Sequence, residues 1–97
     1  MNLSINYSDH DRAAEALFGT KSLDALKFLI DNGRELEFMF DGTKYFLSRS
    51  SSAQYVSIWG NGNQQCFCSM DMLIESATLN QIPFSVAWKK AELSFLY

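Results

Sequence analysis

Glu35 and Glu37 are the two side chains in this sequence whose types and spacing come nearest to a catalytic arrangement. On an extended strand, residues two apart point to the same face, with alpha carbons about 7 Å apart. Carboxylates at such a separation hydrolyse glycosidic bonds only inside a cleft that raises the pKa of one of them. Because an open sheet face with Lys44 beside them is predicted here, we interpret both as surface carboxylates and expect no catalytic residue.

The cysteines, Cys66 and Cys68, form a C-x-C pair that is neither a C-x-x-C redox motif nor half of a zinc site with a second cysteine pair. Neighbours on one strand face are also poorly placed for a disulfide. His10, the single histidine, lies between two aspartates that point in other directions on a helix, which indicates a solvated residue. The sequence therefore predicts two reduced thiols in a cytoplasmic protein, with no metal site and no cofactor.

The motifs of common enzyme classes are missing from the sequence. It contains no G-x-S-x-G, no H-E-x-x-H and no phosphate-binding P-loop. Gly60-Asn61-Gly62 lacks the following helix and lysine of a phosphate cradle, so it is interpreted as a hairpin turn. We expect a chain that is not an enzyme.

The stretch from Arg34 to Arg49 is the element around which the fold is predicted to form. Two alternating segments flank Asp41-Gly42, a dipeptide that favours the tight type I′ hairpin turn. This turn gives inward pairs Phe40–Thr43, Phe38–Tyr45 and Leu36–Leu47, and outward pairs Met39–Lys44, Glu37–Phe46 and Glu35–Ser48. One face is apolar and the other largely polar, as a half-buried antiparallel sheet requires.

Helices are predicted on both sides of this hairpin from cap residues and apolar spacing. They run from Asp9 to Phe18 (capped by Ser8 and ended by Gly19), from Ser22 to Asn32-Gly33, from Met70 to about Ala77 after Ser69, and from Pro83 as first residue to about Lys90. In the last helix, Phe84, Ala87 and Trp88 are expected to be buried.

Three further segments alternate like strands: Gln54 to Trp59, Gln64 to Cys68, and Glu92 to Tyr97. The large aromatic side chains are interpreted mainly as core, namely Tyr45, Tyr55, Trp59 and Trp88. The predicted fold class is α+β, with helices on one face of a four-stranded antiparallel meander, completed by a C-terminal helix and strand. Residues 1–97 form one domain, in which 1–20 add an N-terminal arm and helix to a core of 21–97.

Charge separates the two halves of the chain, whose net charge is −3. Residues 1–41 contain eight acidic and four basic residues (net −4), and residues 42–97 contain three acidic and four basic residues (net +1). This balance argues against nucleic-acid binding, which needs a basic surface. No apolar run is long enough for a membrane span, and the start of the sequence is unlike a secretory signal.

From Leu23 to Tyr97 the chain resembles a group of small uncharacterised proteins of bacteria and their phages. The resemblance is carried by four segments: Asn32-Gly33-Arg34-Glu35-Leu36-Glu37-Phe38, Asp41-Gly42-Thr43-Lys44-Tyr45, Ser69 to Ala77, and Ala87-Trp88-Lys89. The chain departs from the pattern in its first twenty residues and at Asn80-Gln81, where an Asp-Gly-type turn is expected. Small acidic proteins of such genomes include inhibitors of host defence, among them anti-CRISPR proteins, and the resemblance implies that class.

The expected function is therefore that of a non-enzymatic protein-binding module acting through an acidic surface on a basic partner. Its expected partner-binding residues are Glu35, Glu37, Asp41 and Phe46. An aromatic residue beside charges is typical of an interface anchor, although the C-terminal segment of the chain could cover Phe46 instead. The alternative is a structural or assembly domain that forms a homo-oligomer through its open sheet face or a free edge strand.

Overall fold

The computed structural model describes residues 8–50, 52 and 54–97. Helices pack on one side of a five-stranded antiparallel sheet, which confirms the predicted α+β class. The N-terminal arm predicted over residues 1–7 lies outside the described residues. Within the described ranges, no helix combines the length and the apolar character that crossing a membrane would require.

The helices and the strands of the main sheet follow one another as the sequence patterns predict, and a short two-stranded ribbon that was not predicted lies between the third and fourth helices. The helices are α1 (Asp9–Thr20), α2 (Leu23–Asp31), α3 (Met70–Ser76) and α4 (Phe84–Ala87), which a 3-10 turn (Trp88–Lys90) continues. The strands are β1 (Leu36–Phe40), β2 (Thr43–Arg49), β3 (Val56–Gly60), β4 (Asn63–Phe67), β5 (Thr78–Leu79), β6 (Ile82–Pro83) and β7 (Glu92–Leu96). The main sheet has the order β4-β3-β2-β1-β7, and β5 and β6 form a separate ribbon. The C-terminal strand thus extends the predicted meander as its fifth strand.

The central hairpin has the predicted register. Leu36 pairs with Leu47, Glu37 with Phe46, Phe38 with Tyr45, Met39 with Lys44, and Phe40 with Thr43. Both turn residues have positive φ, 53° at Asp41 and 77° at Gly42, as a type I′ turn requires. Because side chains alternate along a strand, this register alone decides which residues face the helices.

The helix starts also agree with the predictions. Ser8 and Asp11 form a reciprocal capping box, and the side chain of Ser22 accepts a hydrogen bond from Ala25 N at 3.1 Å. Ser69 caps α3 by accepting from Met72 N at 3.1 Å. The predicted place of Pro83 as first helical residue is wrong. Its extended backbone (ψ 140°) makes it the N-cap of α4, and it is the last residue of β6, where it pairs with Thr78.

The end of α1 differs from the prediction, which placed it at Phe18 before Gly19. The helix continues to Thr20 because Lys21 takes the left-handed conformation (φ 54°). Trp88 holds this residue, since its indole Nε1 donates to Lys21 O at 3.0 Å. In return, Lys21 Nζ donates to the carbonyl oxygens of Trp88 and Lys89 at 3.3 Å each, and to that of Ala91. A contact between distant segments, invisible in the local sequence, sets this helix end.

The core is built around Phe38, which lies fully buried between the sheet and α4. Its ring stacks on Tyr45 with centroids 5.6 Å apart and meets the edge of Trp88 at 5.7 Å. Trp88, 3% exposed, stacks in turn on Phe84 at 5.5 Å. The predicted burial of the last helix's apolar side is confirmed.

Tyr45 is buried together with its hydroxyl group, for which no described residue offers a hydrogen bond. Its ring lies over Gly60, where a Cβ atom would come within 2.8 Å of Lys44 O and collide with the ring itself. Burial raises the pKa of the Tyr45 hydroxyl. The nearby backbone of Asn80 offsets part of that rise, although it does not form a well-aligned hydrogen bond with the hydroxyl.

Replacing Tyr45 by phenylalanine is expected to keep or raise the free energy of unfolding, by up to about 1 kcal/mol, since a buried unpaired hydroxyl is removed. The raised pKa means that the folded chain favours the neutral phenol of Tyr45. In the wild type, the free energy of unfolding therefore keeps its full value below about pH 10 and falls as the pH rises through the raised pKa. Urea denaturation at pH 7 and pH 10.5 should show a smaller alkaline loss in Y45F than in the wild type. A loss of more than 1 kcal/mol at pH 7 would mean that the hydroxyl has a partner.

Candidate functional site

The side of the main sheet turned away from the helices carries a row of aromatic side chains. Glu37 pairs with Phe46 in β2 and with Phe95 in β7, and Phe46 pairs with Trp59 in β3. These four side chains therefore cross four strands as one row, Phe95–Glu37–Phe46–Trp59. Neighbouring strands lie about 4.8 Å apart, so the row is short enough for adjacent side chains to touch.

Tyr97 joins this row beside Phe46, with ring centroids 5.9 Å apart, and beside Phe95, at 6.1 Å. We call Phe46, Trp59, Phe95 and Tyr97 the aromatic cluster. Three of its members are largely exposed, with exposed fractions of 52% for Trp59, 60% for Phe95 and 55% for Tyr97. Phe46 is half-buried because the C-terminal Tyr97 lies against it. The C-terminal segment thus partly covers Phe46, which was the alternative to an exposed Phe46. Tyr97 in that segment adds its own ring to the exposed aromatic surface.

Glu37 lies within the cluster and is not a free surface charge. Its side chain is only 15% exposed, with Oε2 at 3.9 Å from Lys44 Nζ and Oε1 accepting from the Tyr97 hydroxyl at 3.4 Å. Partial burial and the negative charge of Glu37 raise the pKa of Tyr97, which favours the neutral hydroxyl as hydrogen-bond donor to Glu37. Glu37 therefore orients Tyr97 and Lys44 across the face of the sheet.

The other predicted acids lie at the margins of the aromatic cluster. Asp41 is exposed at the hairpin tip and accepts from Asn80 Nδ2 at 2.8 Å. Glu35, at the opposite end, exchanges backbone hydrogen bonds of 3.2 and 2.7 Å with Tyr97. An acid that the sequence analysis did not select, Glu92, is exposed opposite Met39 on the same face. The structure therefore places acidic groups around the aromatic cluster and does not gather them into one patch.

The arrangement of the carboxylates does not suit catalysis by a carboxylate pair. Glu35 lines a shallow cavity together with Asp31 and Arg49, whereas Glu37 lies under Lys44 outside that cavity. Among the described residues, no three His, Cys, Asp or Glu side chains converge to hold a metal ion. His10 is not simply solvated as expected, because its ring packs edge-on against Phe28 at 5.3 Å.

The edges of the sheet are less suited to binding than its open face. At the β4 edge, the Gln65 side chain pairs with the backbone of Thr78, donating to Thr78 O at 2.7 Å and accepting from Thr78 N at 3.0 Å. At the β7 edge, a bulge shifts the register between Glu37 and Phe38. A neighbouring segment held against an edge strand, and a bulge that distorts one, both protect edge strands from pairing with another chain.

The sequence analysis selected Phe46 but missed the other three members of the aromatic cluster. Trp59 was interpreted as core, which is wrong, because it points away from the buried Val56 and Ile58. The alternation of β3 already contained this information, since Trp59 and those two residues differ in parity. Alternation could not have placed Phe95, because the bulge between β1 and β7 pairs Phe95 with Glu37 on the outer face and Leu93 with Phe38 on the inner face.

No protein-family model, no curated protein and no solved structure matches this chain.

Proposed function

We propose that this chain is a non-enzymatic protein-binding module that uses the open face of its sheet to bind a partner with a basic surface. The observation that carries the proposal is the exposed aromatic cluster on that face. Taken with the resemblance to small phage and bacterial proteins, it leads us to propose a cytoplasmic inhibitor of a host defence protein, of the anti-CRISPR type.

Exposed aromatic side chains in contact with one another are the usual anchors of protein interfaces. Here Trp59 projects from β3 and Phe95 from β7, on the two sides of the central hairpin, whose other face carries the buried Phe38 and Tyr45. Their backbone positions are therefore set before binding, and little ordering is required when a partner arrives. By strand spacing and rise, the five-stranded face measures about 24 Å by 17 Å, a scale suited to a small interface.

The charge at the margins of the face favours a basic partner. Glu35, Glu92 and Asp41 lie at the margins of the face on the side of β1, β7 and the hairpin tip, while Lys44 is the one basic residue that the described strand pairings place on the face. Acidic groups at the rim of an interface accelerate association with a basic surface and make it dependent on salt. The same charges oppose a nucleic-acid ligand, although aromatic rows can stack bases.

The decisive experiment compares variants in affinity capture from a bacterial host lysate. The double variant W59A/F95A removes two exposed rings, and F18A serves as matched control because Phe18 is an exposed aromatic residue on α1. We expect proteins recovered by the wild type and F18A to be lost with W59A/F95A. Direct titration of the captured protein should show an affinity that falls as salt rises, and that falls further in E35K/D41K/E92K.

Equal recovery by W59A/F95A and the wild type would refute the proposed face. A captured partner whose affinity does not depend on salt would refute the role of the acids. Light scattering on the same samples tests the homo-oligomer alternative. If the wild type is a dimer and W59A/F95A is a monomer, the partner of this face is a second copy of the chain and not a host protein.

A further inference from the structure

The two cysteines and a methionine line one small pocket at the β4 edge of the sheet. Cys66, Cys68 and Met72 share this cavity of about 260 Å³ with Tyr55 and Phe67. All three sulfur-bearing residues are exposed, and both cysteines are free thiols. The pocket lies at the opposite edge from β7, so it is distinct from the Phe95 and Tyr97 end of the aromatic cluster.

The local fold explains why these three residues line the same pocket. Cys66 pairs with Ser57 near the end of β4, and Cys68 follows two residues later, in the bend that leads from β4 to α3. Ser69 remains extended (φ −151°, ψ 164°) and then begins α3. Its side chain accepts from Met72 N at 3.1 Å, which fixes the first helical turn and returns Met72 to the cysteines.

This set of ligands has the chemistry of a soft monovalent metal site. Thiolate and thioether sulfurs favour Cu(I), which is stable with two or three ligands, whereas structural zinc takes four. Cysteine and histidine spacing alone predicted no metal site at Cys66 and Cys68. Met72 supplies a third sulfur that sequence spacing alone did not connect with them.

We propose that Cys66, Cys68 and Met72 form a Cu(I)-binding site. On binding, two copper–thiolate bonds form as both thiols release their protons to solvent, and the Met72 thioether donates a lone pair as third ligand. The copper stays Cu(I), no electron is transferred, and the site gains one negative charge in total. Tyr55 and Phe67 supply the apolar part of the lining beside the three sulfur-bearing residues.

Anaerobic titration of the full chain with Cu(I) against a coloured Cu(I) chelator tests the site. We expect one Cu(I) per monomeric chain, retained when Zn²⁺ is added in excess, and no retention by C66S/C68S. The M72L variant should bind Cu(I) with an affinity lower by about tenfold or more, the scale seen when a supporting contact of a metal site is lost. M39L is the matched control, because Met39 lies in β1 outside this pocket, and it should bind as the wild type does.

Retention of Cu(I) by C66S/C68S would place the metal elsewhere and overturn the proposal. An M72L affinity equal to that of the wild type would overturn the three-sulfur site, as would binding of one Cu(I) between two chains. Thermal melts of the metal-free variants, read by circular dichroism, establish that each variant is folded, which is expected because all three side chains are exposed.

Discussion

Replacing Phe38 by alanine is expected to lower the free energy of unfolding by about 3–5 kcal/mol, the cost of removing a large aromatic side chain from a core. Phe38 is fully buried and its ring contacts both Tyr45 and Trp88, so the substitution leaves a cavity between the sheet and α4. Urea denaturation followed by circular dichroism measures the effect as a lower midpoint at unchanged slope.

The matched control for this substitution is Lys44→Ala on the other face of the same hairpin. Lys44 is exposed, with a 3.9 Å ion pair to the largely covered Glu37, so its loss should lower the free energy of unfolding by no more than about 1 kcal/mol, well below the effect of F38A. Glu37 itself serves less well as a surface control, since its side chain is only 15% exposed. Equal destabilisation by F38A and K44A would contradict the register of the hairpin.

The parts of the fold that sequence predicts here are those decided by local chemistry. Asp41-Gly42 admits positive φ at both turn positions, and the alternation around it then determines every pair from Leu36–Leu47 to Phe40–Thr43. Ser8, Ser22 and Ser69 mark helix starts because their hydroxyls satisfy free backbone amides.

The errors occur where a distant segment competes with a local preference. Gly19 is the better local residue for ending α1, but hydrogen bonds between Lys21 and Trp88 give the left-handed conformation to Lys21. Asn80 and Gln81 likewise form a turn with positive φ (52° and 68°) without a glycine, at the place where the resemblance led us to expect an Asp-Gly-type turn. A hydrogen bond from Asn80 to Asp41 holds that turn against the central hairpin.

The candidate site was harder to predict than the fold, because it is assembled from four strands, of which β7 is distant in sequence from the other three. The hairpin pattern alone indicated that Phe46 and Glu37 lie opposite one another on the outer face. It could not show that β7 pairs with β1, which brings Phe95 beside Glu37. An aromatic residue is favoured in a core and in an interface for the same reason, its large apolar surface, so residue type alone could not separate Trp59 from Trp88.

The two tryptophans provide the second large expected effect. Trp88→Ala should cost about 3–5 kcal/mol, because it removes a ring that is 3% exposed and packed on Phe38 and Phe84. Trp59→Ala should change stability by less than about 1 kcal/mol, because 52% of that residue is exposed. Fluorescence distinguishes the two, since W59A retains only the buried indole, with blue-shifted emission, and W88A retains only the exposed one, with red-shifted emission.

Because a loss of 3–5 kcal/mol is large beside the stability of a small domain, W88A could unfold under the conditions of the comparison, and Trp88→Phe is the variant that tests the contact itself. Phenylalanine keeps a ring against Phe84 but cannot donate to Lys21 O, which the indole Nε1 reaches at 3.0 Å. The loss of that hydrogen bond, with the smaller ring, should cost about 1–3 kcal/mol. It should also release the C-terminal end of α1, which hydrogen exchange at the amide of Lys21 reports, since that amide bonds to Leu17 O at 2.9 Å. Unchanged stability and exchange in W88F would show that the packing of α1 against the C-terminal helix does not depend on this hydrogen bond.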